Sequence, residues 1–134
     1  MVFTEKILAG ELSIKIMRII SGKLKGKKIK YLKNNTTRPI RDSVKENIFN
    51  LLIHSKVLNI KIEKASILDL YSGVGSFGIE CISRGAKNVT FVENNSAANE
   101  TIRKNLNYLL IFEKSKIFKD NVNDFLRRNI NEKY

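Results

Sequence analysis

The sequence predicts an α/β protein built on a parallel sheet, and three observations carry that prediction. From Ser66 onward, apolar β-prone runs alternate with helical periodicity in the order β-α-β-α-β, which right-handed crossovers convert into a parallel sheet. The stretch Asp69-Leu70-Tyr71-Ser72-Gly73-Val74-Gly75-Ser76-Phe77-Gly78 stands where the first strand hands over to a helix. The second strand, Val89 to Val92, runs into the carboxylate Glu93, about 20 positions beyond the first glycine of the loop.

Taken in order, residues 1–16 have mixed composition and no strong period, and are expected to be an extension that need not be native, since Met17 can serve as a start. Met17 to Ile29 reads as a hairpin, two short β-prone pieces around turns at Gly22 and Gly26. Thr37-Arg38-Pro39 follows a Lys- and Asn-rich link, and its proline favours extended or turn backbone. Ser43 and Glu46 have the spacing of a capping box, and Val44, Ile48, Leu51 and Leu52 recur at helical spacing. A helix from about Asp42 to His54 is therefore expected to cover one face of the sheet. His54, at its end, suits a contact with the helix C-terminus better than catalysis.

After the charged linker Asn59 to Lys64, the first parallel strand is expected over Ser66 to Leu70 and a helix over Ser76 to Arg84, stopped by Gly85. Asn94, Asn95 or Ser96 can cap the next helix, with Ala98, Ile102, Leu106 and Leu109 inward. The third strand, Lys116 to Lys119, leads to Asp120 and a last amphipathic helix with Val122, Phe125, Leu126 and Ile130 inward. The doubly wound order places the first strand at an edge of these three.

Composition narrows the function. With 134 residues and 43% hydrophobic content, one domain with a real core is expected. A single cysteine, Cys81, excludes an intrachain disulfide and a cysteine-rich zinc site, so no metal is expected. No apolar run approaches the roughly 18 residues of a membrane span and no signal peptide is visible, which predicts a cytoplasmic protein without a membrane partner. The formal net charge is +12. Lysine, asparagine and isoleucine are plentiful throughout, so compositional drift explains part of it. The distribution says more: Met17 to Arg41 holds Arg18, Lys23, Lys25, Lys27, Lys28, Lys30, Lys33, Arg38 and Arg41 with no acidic residue, a pattern that fits a nucleic-acid face better than a merely solvated one.

The glycine loop carries the chemistry. Gly73 suits the tight turn, Gly75 close backbone approach to a ligand, and Gly78 the packing of helix on strand, while Glu93 suits a ribose hydroxyl pair. Asp69, in the strand before the loop, would repel a pyrophosphate and favours a ligand with a cationic part. S-adenosylmethionine, with its ammonium and sulfonium, is such a ligand. Asp69, Gly73, Gly75, Gly78 and Glu93 resemble the first two motifs of class I S-adenosylmethionine-dependent methyltransferases. A nicotinamide-dependent oxidoreductase becomes the minor reading.

Longer stretches narrow the resemblance. Met17-Arg18-Ile19-Ile20-Ser21-Gly22, Thr37-Arg38-Pro39, the run from Asp42 to Asn50, Ile67 to Gly75, Gly78-Ile79-Glu80, Ser83-Arg84-Gly85-Ala86 and Phe91-Val92-Glu93 together resemble the bacterial 16S ribosomal RNA guanine-N2 methyltransferases, over Met17 to about Phe125. The resemblance implies a Rossmann-like methyltransferase fold, truncated to its first three parallel strands and preceded by a β-hairpin and helix. It implies methyl transfer from S-adenosylmethionine to the exocyclic amine of a guanine in small-subunit rRNA or its assembly intermediate. By the same resemblance Asp69, Gly73, Gly75, Gly78 and Glu93 bind the cofactor, and Asp120 accepts a hydrogen bond from the adenine amine. Arg18, Lys23, Lys25, Lys27, Lys28, Arg38 and Arg41 would face RNA. The chain then divides into 1–16, the RNA-facing hairpin and covering helix 17–64, and the cofactor half 65–134.

The family also has an Asp/Asn-Pro-Pro-aromatic motif after its fourth strand, which orients the target amine. Pro39 is the single proline of this chain, so the motif is absent from these 134 residues and no catalytic residue is assigned. The expectation is a truncated gene product, one half of a split enzyme completed by a separate chain, or a protein reduced to cofactor or RNA binding. The competing function class is a non-catalytic RNA-binding module.

Overall fold

The computed structural model describes residues 13–33 and 40–131. Strand β1 (Ser13–Arg18) pairs antiparallel with β2 (Lys28–Lys33), with Met17 opposite Ile29 and Ser13 opposite Lys33. The hairpin therefore begins before Met17 and extends past Ile29. Helix α1 spans Asp42–His54, β3 Ser66–Leu70, α2 Ser76–Ser83, β4 Asn88–Val92, α3 Ser96–Tyr108, β5 Ser115–Phe118 and α4 Val122–Arg128. The second sheet is parallel in the order β3-β4-β5, with Leu68 opposite Thr90 and Thr90 opposite Lys116. Among the described residues strand β3 is an edge, as expected. Among the described residues no helix is long and apolar enough to cross a membrane.

Strand alternation sends Val89 and Phe91 to one face and Val92 to the other. The first face meets Ile79, Ile82, Ile102 and Leu106 of α2 and α3, together with Ile19 and Ile29 of the hairpin, in one core. The second is covered by α4 through Val122 and Phe125, and Phe118 tilts against Phe125 with ring centroids 5.0 Å apart. Helix α3 follows the sequence reading: Asn95 caps it by accepting from the Ala98 amide at 3.0 Å, and Ala98, Ile102, Leu106 and Leu109 are buried.

Helix α1 departs from its expected orientation. Its capping box does not form: the helix begins after Arg41, which provides no side-chain cap. Val44 and Leu51 are exposed, Leu51 at 67%, and the buried positions are Lys45 and Phe49. The reason lies on α2 rather than on the sheet. Phe49 stacks on Phe77 at 4.9 Å and lies under the Arg84 guanidinium at 4.1 Å, while the Lys45 ammonium stands 3.5 Å from Glu80. An aromatic and a charged anchor thus override the apolar stripe. Leu126 and Ile130 are likewise exposed, because α4 is short and only Val122 and Phe125 reach the sheet.

Glu80 ties the hairpin to this assembly. Its fully buried carboxylate accepts from the Ile20 amide at 3.0 Å, the Ser21 amide at 2.9 Å and Arg84 Nε at 3.2 Å. Three residues on, the Ser83 carbonyl accepts from the Lys23 amide at 2.8 Å and Ser83 Oγ from the Leu24 amide at 3.0 Å. Gly22 passes so close that a Cβ would sit 2.0 Å from the Ser83 carbonyl oxygen, and its φ of +82° is one that glycine adopts without strain.

Replacing Glu80 with Ala would leave Lys45 and two hairpin amides without their buried partner. The expected cost is about 3–5 kcal/mol, read as a lower urea midpoint with an unchanged slope.

Candidate functional site

The candidate site is the turn from β3 into α2 and the end of β4 beside it. The parallel pairing of β3 with β4 brings Leu70 opposite Val92, so the glycine loop and Glu93 leave the sheet side by side. Glu93 holds the loop directly: Oε2 accepts from the Gly73 amide and Oε1 from the Asn95 amide, each at 2.8 Å. Ser72 adds a second tie, its amide donating to the Val92 carbonyl at 3.1 Å. Tyr71, which opens the loop, has φ +56° and is 74% exposed. Left-handed backbone at a bulky residue costs about 1–2 kcal/mol, and such outliers cluster at ligand clamps.

Asp69 points from β3 to the start of α2, where Oδ2 accepts from the Gly78 amide at 3.0 Å. Gly75, the residue before α2, supplies no side-chain cap, so Asp69 takes the place of one from the neighbouring strand. Burial pushes its carboxyl up from 3.8 to about 7; the Glu93 charge adds to the rise and the Gly78 hydrogen bond opposes it. A cation placed beside Asp69 would reverse that shift. Burial likewise pushes the Cys81 thiol up to about 12, with help from the Asp69 and Glu80 charges, which makes it an inert apolar group.

Gly78 has the packing role the sequence predicts and Gly73 the left-handed backbone of a tight turn at φ +56°, while Gly75 departs from its expected role. Gly75 has φ +83° and a Cβ there would press on Phe91 at 3.2 Å, so glycine is required by the fold, facing the core. Gly78 lets α2 lie on the sheet, since a Cβ would come within 2.4 Å of the Phe91 ring. Gly73 is the open one: a Cβ would meet nothing within 4 Å, and this flank is where a ligand can approach the backbone. Asp120 stands next to Glu93, its amide donating to the Glu93 carbonyl at 3.2 Å, but its carboxylate is taken by Arg128.

The basic residues lie outside the glycine loop, on the hairpin and at the start of α1. Arg18, Lys23, Lys25, Lys27 and Lys28 are exposed along the hairpin, and Arg41 is exposed at the start of α1. Arg18 lies directly opposite Lys28 in the ladder, a like-charge pair that costs stability unless an anion spans it. Arg38 falls outside the described residues.

Two joints were not anticipated. Glu80 leaves only its i,i+4 spacing to Arg84 in the sequence, because its hairpin partners lie 59–60 residues away. Asn105 did leave one, an amide inside the buried stripe of α3. It accepts from the Lys30 amide at 2.9 Å and donates to the Lys30 carbonyl at 2.8 Å and the Val74 carbonyl at 3.4 Å, which links hairpin to glycine loop.

The family model described as conserved hypothetical protein 95 matches residues 17–134. Ribosomal RNA small subunit methyltransferase D of Haemophilus influenzae is 35% identical over 117 residues, covering 87% of this chain and 58% of that protein. The protein of the same name from Escherichia coli is 34% identical over 90 residues, covering 67% and 42%. Among solved structures, yhhF from Escherichia coli superposes with a TM-score of 0.67 at 31% identity, over 83% of this chain and 56% of that one. Protein TTHA0928 of Thermus thermophilus gives a TM-score of 0.68 at 22% identity and supports the fold alone. The chain thus spans about half the length of the relatives it matches.

Asp69 makes stability depend on pH in a defined sense. Its folded carboxyl titrates at about 7 against 3.8 unfolded, so the folded state holds the proton more tightly. The stability this group contributes is full below pH 4 and falls as pH rises through 7. Asp69→Asn keeps the acceptor for Gly78 and removes the titration. The unfolding free energy of the wild type minus that of the variant should decline between pH 4 and 7, measured by urea unfolding across that range.

Proposed function

The chain belongs to the family described as conserved hypothetical protein 95, and from that premise we propose that it is the cofactor-binding part of an S-adenosylmethionine-dependent rRNA methyltransferase. The methyl acceptor in this reading is the exocyclic N2 of a guanine in small-subunit rRNA, free or in an assembly intermediate, and the setting is the cytoplasm. The name borne by the Haemophilus influenzae relative supports the rRNA class. The observation that carries the reading is Glu93 at the mouth of the glycine loop, locked by the Gly73 and Asn95 amides. Each carboxylate oxygen keeps a lone pair after accepting one amide, so the pair can still receive two ribose hydroxyls.

The other residues fit that ligand. The open flank of Gly73 admits the cofactor to the backbone, and Gly75 and Gly78 keep the loop and helix in place behind it. Asp69, ionised by a cationic neighbour, would hold the amino acid end of the ligand. Asp120 is placed to reach the adenine edge if Arg128 releases it. Held by Glu93, Asp69 and the Gly73 backbone, S-adenosylmethionine would supply an electrophilic methyl group, its sulfonium becoming a neutral thioether on transfer and the amine proton passing to solvent. The hairpin and Arg41, with Arg38, hold the RNA phosphates.

The Pro-Pro-aromatic motif is absent from these 134 residues, so none of them is assigned to orient the amine. We assign that task to further polypeptide, joined to this chain or supplied by a separate one. A non-catalytic RNA-binding module is the second reading, favoured by the like-charge ladder pair Arg18 and Lys28.

Calorimetric titration with S-adenosylmethionine tests the site. Glu93→Ala should weaken binding by about 1–3 kcal/mol, and Gly73→Ala should weaken it by filling the open flank. Equal affinities for all three proteins would refute the assignment. Tritium transfer to small-subunit rRNA should be absent with this chain alone and appear when a segment bearing the amine-orienting motif is added.

A further inference from the structure

A groove of about 310 Å³ lies between the hairpin and α3, lined by Ile16, Lys28, Ile29, Lys30, Lys104, Asn105 and Tyr108. That volume is at the small end of ligand-binding clefts. Its lining has a distinct chemistry. Tyr108 is 69% exposed, with no ring or cation stacked on it among the described residues. Ile29 is buried and Ile16 lies partly open beside it. Lys28 and Lys30 are exposed and have no carboxylate within ion-pair distance among the described residues, while Lys104 pairs with Glu100 at 2.7 Å. No acidic side chain lines the groove among the described residues.

We propose that this groove is a nucleotide subsite for single-stranded RNA, in which one base stacks on Tyr108 and the adjoining phosphates lie over Lys28 and Lys30. An exposed aromatic ring with neighbouring cations is the combination that unpaired bases and their backbone recognise together. The polarity of α3 supports the arrangement: Tyr108 ends the helix, where the negative end of the dipole disfavours phosphate but accepts a neutral base. The phosphates are then directed to the hairpin strand. Asn105 forms the floor and is already satisfied by the backbone of Lys30 and Val74, so it shapes the groove without reading the base. The inference rests on the RNA-directed reading above and adds a place where the strand is gripped away from the glycine loop.

The test uses the full chain and a short single-stranded RNA carrying 5-iodouridine. Photo-crosslinking followed by peptide mass spectrometry should place the adduct on Tyr108, and an adduct confined to Tyr71 or to the hairpin tip would overturn the proposal. Tyr108→Ala should weaken binding of the same RNA about tenfold, the effect of losing one base stack, while Tyr108→Phe keeps wild-type affinity. Lys30→Ala should lower the slope of log affinity against log salt by about 0.7. Thermal unfolding and S-adenosylmethionine titration of each variant should match wild type. Wild-type RNA affinity in Tyr108→Ala would overturn the groove while leaving the cofactor reading intact, and so would a wild-type chain that binds the cofactor but no RNA. Loss of cofactor binding in the wild type with the Tyr108 effect preserved would strike the methyltransferase reading alone. Displacement of the RNA by poly-glutamate with the same dependence on Tyr108 would reassign the groove to an acidic protein and refute the proposal.

Discussion

The carboxylate of Glu80 is the interaction on which the rest of the structure depends. A fully buried charge is tolerated only when partners surround it, and here they come from three directions: the hairpin amides of Ile20 and Ser21, Lys45 of α1, and Arg84 of its own helix. All three elements therefore meet at this one carboxylate. Glu80 lies five residues along α2 from Gly75, or about 7.5 Å at the rise of an α-helix. The same helix that opens at the glycine loop therefore fixes where the basic hairpin stands. Asn105 makes a second, independent connection between the two.

The site itself separates two carboxylates by environment. Asp69 is inside, spends one oxygen on the amide of Gly78, and is pushed toward neutrality by burial. Glu93 is at the rim and is bound by amides of two loops, which keeps it in position while leaving its remaining lone pairs outward. One acid thus responds to a positive charge and the other presents a rigid acceptor. Two residues of the same chemistry are made different by the strand ends that carry them.

Much of the parallel sheet was legible because its signals are local. Ser66 to Leu70 is a short apolar run before a glycine turn, and the stripe Ala98, Ile102, Leu106 and Leu109 has an unambiguous period. Helix α1 was legible in extent but not in orientation. Its apolar residues have the right spacing, yet Lys45 and Phe49 face inward because Glu80 and Phe77 wait on α2, and no local pattern reveals a partner so distant in the chain. The glycines were recognised as necessary, but which of them faces the core depends on where Phe91 and Ile102 lie across the loop. Asp69 was read as a partner for a ligand, and its service as a cap to α2 becomes visible only once the strand and helix are placed.

The distance in sequence between the hairpin and Glu80 also has a consequence for biosynthesis. Ile20 and Ser21 are made 60 and 59 residues before the carboxylate that anchors them. At about 5–20 residues per second, synthesis of that interval takes roughly 3–12 seconds. During that time the nascent strand carries the lysine-rich stretch Met17 to Arg41, which holds no acidic residue, while still attached to the ribosome, itself an assembly rich in RNA phosphate. The newborn chain is thus exposed to polyanion before it has the joint that gives its hairpin a fixed position.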